Sequence, residues 1–198
     1  MWFIVTGTAA LLVVVSAVVS FNRFVSQRNL ITNSWSNVET ELRRRYDLIP
    51  NLVETVGGYA RHEQRTLTEV VEARRRAIAA TGDPDQQAGP EHALVDGLRH
   101  LLAVSEAYPE LLANAHFLDL QRELVTTEDR IQAARRLFNG NVRDYNRRVE
   151  SIPSALVALL GGFRRAEYFE IDTAVRVSGP PPVRQAPAAR RPNSRNRV

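Results

Sequence analysis

Residues 117–149 read FLDLQRELVTTEDRIQAARRLFNGNVRDYNRRV. Phe117, Leu120, Leu124, Thr127, Ile131, Ala134, Phe138, Val142, Tyr145 and Val149 recur there every three or four residues, in a near-heptad register. That spacing predicts one long helix with a single apolar stripe, ended by Ile152-Pro153. A helix with one apolar face is stable only when that face is covered, so the stripe demands other helices.

The rest of the chain supplies them. Ile31, Trp35, Val38, Leu42, Tyr46 and Ile49 form one stripe, with nothing to break the helix before Asp47. Pro50 is expected to interrupt that helix or to open the next one. Leu52, Val56, Tyr59 or Ala60, Leu67, Val70 and Ile78 make a second stripe, stopped by Thr81-Gly82-Asp83-Pro84. Residues 82–90 read as a flexible loop. A short third helix then carries Leu94, Leu98, Leu101, Leu102 and Ser105 and ends near Tyr108-Pro109. No segment alternates as an exposed strand does, although residues 167–171 fit a short extended piece.

From Trp2 to Phe21 there is no charged residue, and twenty helical residues cover about 30 Å, the thickness of a bilayer's hydrocarbon. A cleaved signal peptide would need basic residues before the run and a small-residue site after it, and the sequence offers neither. The run is therefore read as a membrane anchor with aromatic ends, Trp2, Phe3 and Phe21. Arg23 and Arg28 just beyond it put the short N-terminus outside and the body in the cytoplasm by the positive-inside rule. The fold class is all-α: an N-terminal transmembrane helix, an elongated antiparallel bundle of about four helices, and a disordered tail. The boundaries are 1–22 for the anchor, 23–177 for the bundle and 178–198 for the Arg/Pro-rich tail.

Composition narrows function. The 198 residues contain no cysteine, and all 26 basic residues are arginine. That removes disulfides, thiolate nucleophiles, cysteine zinc sites, Schiff-base lysines and phosphate-loop lysines. Residues 178–198 hold five arginines and no acid, so 21 arginines face all 22 acids in the remainder, a balance of −1. A nearly neutral body with a basic tail does not read as a nucleic-acid binder.

Trp35-Ser36, Val38-Glu39, the run from Leu42 to Val56 (LRRRYDLIPNLVETV), Gly58-Tyr59-Ala60 and His62-Glu63 together resemble the central signature of the LemA family. Further similar blocks are Phe21-Asn22, Ala107-Tyr108-Pro109-Glu110-Leu111, Thr127-Glu128, Val142-Arg143-Asp144-Tyr145-Asn146 and Glu167-Tyr168-Phe169-Glu170, so the resemblance spans about residues 1–172. It implies an N-terminal membrane helix with a short outside N-terminus, a helical-bundle body, and a molecular function unsettled in the family. It carries over no catalytic residue. The chain departs from the pattern at Phe138, where tyrosine is expected, at Gly140 inside the long helix, and at Gly57. Gly57-Gly58 marks a kink or a close helix contact.

Candidate sites are few. His62-Glu63 would begin a zinc-protease motif, but position 66 is threonine rather than histidine. The residues three before the four histidines are Tyr59, Gly89, Gly97 and Ala113, so no di-iron Glu-x-x-His motif exists. His92, Asp96 and His100 align on one face, about 170° from the leucine stripe of the same helix, and read as a solvated face rather than a metal site. Glu63 and Arg74 lie near the apolar stripe and are expected to pair with neighbouring helices. Arg43-Arg44-Arg45 fans out at 100° per residue, about 33 Å beyond Phe21, and reads as partners for the bundle's acids. The uncharged run 155–163 is too short to span a membrane; it caps the bundle, dips into the interface or binds a partner.

No catalytic, cofactor-binding or metal residue is assigned, and no cofactor is implied. The leading reading is a non-enzymatic, membrane-anchored bundle that scaffolds or modulates other membrane or envelope proteins. One alternative is a hydrolase using carboxylates and His62 in a bundle-end pocket. Another is an anionic lipid or polymer binder acting through the arginine tail, whose Pro180-Pro181-Pro182-Val183-Arg184 also fits a polyproline ligand. The partners implied are the bilayer, through residues 2–21, and other membrane proteins; a homo-oligomer is compatible with the sequence and nucleic acid is not favoured.

Overall fold

The computed structural model describes residues 1–80 and 82–170. Over that range the chain is all-α, with no strand among the described residues. Four long helices carry the fold: α1 (Trp2–Tyr59), α2 (Gln64–Ala79), α3 (Pro84–Ser105) and α5 (Ala115–Glu150). A single turn, α4 (Pro109–Leu112), precedes α5, and α6 (Ser154–Gly161) follows it. The expected tail, 178–198, lies outside the described residues.

The long helix foreseen over residues 117–149 is α5. Its stripe is buried from Phe117 to Tyr145, with Ala134 and Val149 half-buried. Asn114 caps it, accepting from the Phe117 N–H at 3.1 Å, and its amide donates to Tyr59 Oη at 3.0 Å. This joins the start of α5 to the end of α1. From there the two helices run antiparallel in one register. Arg45 meets Glu128, Trp35 packs at a tilt against Phe138 with centroids 5.2 Å apart, and Phe24 meets Tyr145 edge-on at 6.0 Å. The residues of α1 covered by α5 thus begin near Phe24, just past the apolar run.

Residues 2–19 of α1 are almost wholly exposed, and α1 is the helix long and apolar enough to cross a membrane among the described residues. Helix α1 is also unbroken, which corrects the expected interruption at Pro50. A proline inside a helix cannot donate to the carbonyl four residues back, here that of Tyr46. Arg74 on α2 donates its Nε–H to that carbonyl at 2.7 Å. A tertiary contact thus replaces the helical bond that Pro50 lacks.

Two other expectations shift. The stripe assigned to one helix over residues 52–78 is split by a turn at 60–63. The half before the turn finishes α1, and Leu67, Val70, Ala73 and Ala77 face the core from α2 while Ile78 is exposed. Gly57 lies at a close helix contact: a Cβ there would sit 3.4 Å from Leu67 Cδ1. Residues 84–90 are helical rather than a loop. Pro84 opens α3 within its first turn, where a missing N–H costs nothing, and Asp85 favours the helix N-terminus. The third helix is therefore long, 22 residues.

After α6 the chain leaves helical geometry and doubles back along the bundle as a strap, residues 163–170. Asn146 donates to the Ala166 carbonyl and accepts its N–H, both at 2.9 Å. Asn139 does the same for Phe169 at 3.0 Å each way. The side-chain amide of asparagine has the donor and acceptor of a peptide group, so α5 holds an extended segment as a sheet neighbour would. Phe169 is buried edge-on against Trp35, centroids 5.0 Å apart.

Candidate functional site

Two assemblies stand out in this frame. The first is sealed inside the bundle. Arg45 of α1 is 0% exposed. It donates to Glu128 of α5 at 2.9 Å and to Glu91 of α3. Tyr46 also donates to Glu91, and the Gln87 amide reaches Glu91 at 2.7 Å, Tyr46 Oη at 2.9 Å and the Ala77 carbonyl at 3.0 Å. One guanidinium thus bridges two carboxylates and joins α1, α3 and α5. Burial alone would lower the pKa of Arg45, but the two carboxylates more than reverse this and hold it above the ordinary arginine value. Burial and the Glu91 charge push Tyr46 well above the usual tyrosine range. Both shifts favour the protonated forms, a charged arginine and a tyrosine that donates.

Such a cluster can set register. A buried ion pair adds little net stability over apolar packing, but removing one partner is costly, so alignments that separate these groups are disfavoured. The cluster's carboxylates are closed off from solvent, with side chains 0% and 5% exposed.

The second assembly lies at the end of the bundle nearest the apolar run. Phe24, Tyr145, Ala158 and Phe163 form a separate buried cluster there. Phe163 stacks on Phe24 with centroids 4.8 Å apart and meets Phe21 edge-on at 5.2 Å. Gly161 is required by this packing, because a Cβ would fall 2.6 Å from Phe163 Cε2. Beside the cluster is a cleft of about 310 Å³ lined by Arg28, Tyr145, Phe163, Arg164 and Arg165. Arg165 pairs with Glu150 at 3.1 Å. Among the described residues Arg28 and Arg164 have no acidic partner. Arg148 donates to Gln27 at 2.8 Å, tying α5 to α1 at the same level. A cleft of about 430 Å³ further along, between Trp35, Phe138, Ala166 and the start of α3, is lined by these apolar groups and by Asp83, Asp85 and Glu167.

The residues singled out in the sequence distribute as follows. His62 is exposed in the turn between α1 and α2, and Glu63 is the N-cap residue of α2 without a side-chain cap bond. Arg74 meets a backbone carbonyl rather than an acid, which corrects its expected ion pairing; the orphan carbonyl left by Pro50 is the reason. His92 and Asp96 are each half exposed and 3.4 Å apart, with His100 exposed beyond them, so that face is turned to solvent. Among the described residues no three His, Asp or Glu side chains gather as a metal-holding group. Arg43 and Arg44 are exposed, Arg44 pairing with Glu41 at 3.4 Å, while Arg45 goes inward. The tail arginines and the proline triplet lie outside the described residues.

Sequence reasoning missed the buried cluster, although the signal was present. Val38, Leu42, Arg45, Ile49, Leu52 and Val56 alternate by four and three, a heptad seam in which Arg45 holds a core position. Gln87, Glu91, Leu94, Leu98, Leu101 and Ser105 repeat the rule, and Glu128 falls between Leu124 and Ile131. Polar residues at core positions of three seams, of opposite sign, are the mark of a buried pair.

These features define a class of protein: an antiparallel helical bundle built on one helix that continues as an apolar segment. The LemA family model matches residues 34–184, and the chain belongs to that family. It is similar to the magnetosome protein MamQ of Magnetospirillum gryphiswaldense, 28% identical over 174 residues, covering 75% of this chain and 64% of that protein. The magnetosome protein MamQ 1 of Paramagnetospirillum magneticum is 26% identical over 175 residues, 76% of this chain and 64% of that protein. The protein LemA of Metamycoplasma hominis is 25% identical over 139 residues, 69% of this chain and 63% of that protein. The chain spans just under two thirds of the length of the curated relatives it matches.

Proposed function

We propose that this protein is a non-enzymatic, membrane-anchored bundle that scaffolds or modulates other membrane proteins. The observation that carries the reading is α1, one 58-residue helix whose first third is apolar and exposed and whose remainder is a core element of the bundle. A bundle joined to its anchor through a flexible linker would be merely tethered. Here helix continuity, defended at Pro50 by Arg74, fixes the orientation of the body relative to the apolar segment. The family membership supports a membrane-associated protein of this type. The placement of titratable groups supports a non-enzymatic one: Glu91 and Glu128 are sealed, and His62 stands exposed in a separate turn.

Arg23, Arg28, Arg147, Arg148, Arg164 and Arg165 cluster at the membrane-proximal end, which favours a cytoplasmic bundle in a cell membrane. The cysteine-free chain tests this with Ser178→Cys and a membrane-impermeant maleimide in intact cells. Labelling only after permeabilisation fits the cytoplasmic placement, and labelling from outside reverses it. The scaffold reading is tested by solubilising membranes that contain the full chain or a version lacking residues 178–198. The same membrane protein should co-purify stoichiometrically with both. Recovery no greater than with an unrelated single-span protein overturns the reading, and loss of the complex on tail deletion transfers the role to the tail.

A further inference from the structure

We infer that α6 is a second membrane contact, an interfacial foot lying in the bilayer leaflet on the bundle's side. The inference rests on the reading above that residues 2–21 cross the bilayer. Ile152, Leu156, Leu159 and Leu160 are 85%, 63%, 79% and 88% exposed. Among the described residues beyond the apolar run, no other large hydrophobic exceeds 56%. Among the described residues comparable exposure occurs only in the first 19, so the described part of the chain presents two bare apolar surfaces.

The two are continuous. Ala158 on the inner face of α6 joins the Phe24 cluster, and Phe163, just after the helix, packs on Phe24 and Phe21, where the apolar run of α1 ends. Its outer face carries Leu156, Leu159 and Leu160, at the three- and four-residue spacing of one helix side. Eight residues rise about 12 Å, too little to cross a bilayer but enough to lie along its boundary.

Charge complementarity points to lipid rather than to a second copy. Residues 151–163 contain no ionisable side chain; Arg147-Arg148 precede them and Arg164-Arg165 follow, four arginines against one acid, Glu150, which Arg165 pairs with. Arginine beside an apolar segment keeps its stem in the apolar layer and its guanidinium among phosphates. Arg28 and Arg164, which lack acidic partners among the described residues, open onto the cleft at this level and would face anionic headgroups there. In a dimer through α6 the same arginines would be brought together against one another.

The cysteine-free full chain allows a depth measurement. Leu160→Cys, Val13→Cys and Leu137→Cys are each labelled with bimane and reconstituted in phosphatidylcholine–phosphatidylglycerol vesicles. Brominated lipids quench from within the membrane and iodide quenches from water. Leu137, on α5 about 20 Å from the end of that helix, is the aqueous reference. With α6 about 5–10 Å into the headgroup boundary, shallow bromines should lower Leu160 emission about twofold or more and iodide should have little effect. Val13 should respond to deep bromines and Leu137 only to iodide. If Leu160 follows iodide while Val13 follows bromines, the foot is refuted and the span stands. If Leu160 is shielded from both quenchers, protein covers α6 and the inference is likewise overturned. If Val13 ignores the bromines, the span itself fails.

Discussion

Replacing Arg74 by methionine and Pro50 by alanine, singly and together, tests whether a side chain on α2 keeps α1 continuous. In the native chain the Tyr46 carbonyl has lost its helical donor to Pro50 and is served by Arg74 Nε at 2.7 Å. A hydrogen bond from a charged donor contributes about 1.5–3 kcal/mol net, so Arg74→Met should destabilise by about that much. Pro50→Ala restores an N–H four residues beyond Tyr46 and removes a proline from a helix interior, a change favourable by up to about 3 kcal/mol. In that background the carbonyl keeps a partner without Arg74. The cost of Arg74→Met should then fall, leaving a coupling energy of about 1 kcal/mol or more. Urea unfolding of the detergent-solubilised full chain, followed by helical circular dichroism, measures all four corners of the cycle. Effects that add to within about 0.5 kcal/mol would show that Arg74 and Pro50 act independently, and the account of α1 would be wrong.

Arg45→Met should cost about 3–5 kcal/mol, because it leaves Glu91 and Glu128 buried without a counter-charge. Methionine at all three positions should recover most of that loss, and a single-variant cost under about 1 kcal/mol in the same urea assay would mean that water reaches the cluster. Tyr46 and Tyr145 are both raised, each mainly by burial, so above about pH 10 the folded chain holds protons the unfolded chain releases. Stability must then fall as pH rises through that window, and Tyr46→Phe should flatten the slope by about 1.4 kcal/mol per pH unit; equal slopes would contradict the burial. Asn146→Ala removes both bonds to Ala166 and should cost about 1–3 kcal/mol. Hydrogen exchange at the Ala166 amide should accelerate while that at Phe169, held by Asn139, changes less; unchanged exchange at Ala166 would show that packing alone holds the strap.

The fold was legible where apolar residues marked the core, as along α5 from Phe117 to Tyr145. It was misread where a distant group reversed a local rule. Pro50 breaks helices unless something else serves the abandoned carbonyl, and nothing near it in sequence reveals Arg74. The start of α3 was hidden because its core positions, Gln87 and Glu91, are polar, and hydrophobic periodicity cannot see a buried polar residue whose partners lie on other helices. Arg45 was grouped with Arg43 and Arg44, yet its three- and four-residue spacing from Leu42 and Ile49 already placed it inside. The run 155–163 was recognised as apolar and too short to cross; that its inner face seats on Phe21 and Phe24 is tertiary information.

An unbroken α1 also has a mechanical meaning. Its 58 residues make a rod about 87 Å long, of which about 57 Å lies beyond Phe21. A 10° change in the tilt of the apolar segment would sweep the His62 turn sideways by about 10 Å, because no joint along α1 absorbs the rotation. With the apolar third seated in a bilayer, as proposed, bilayer thickness or a neighbour pressing on that third would be read out as displacement at the far end of the bundle.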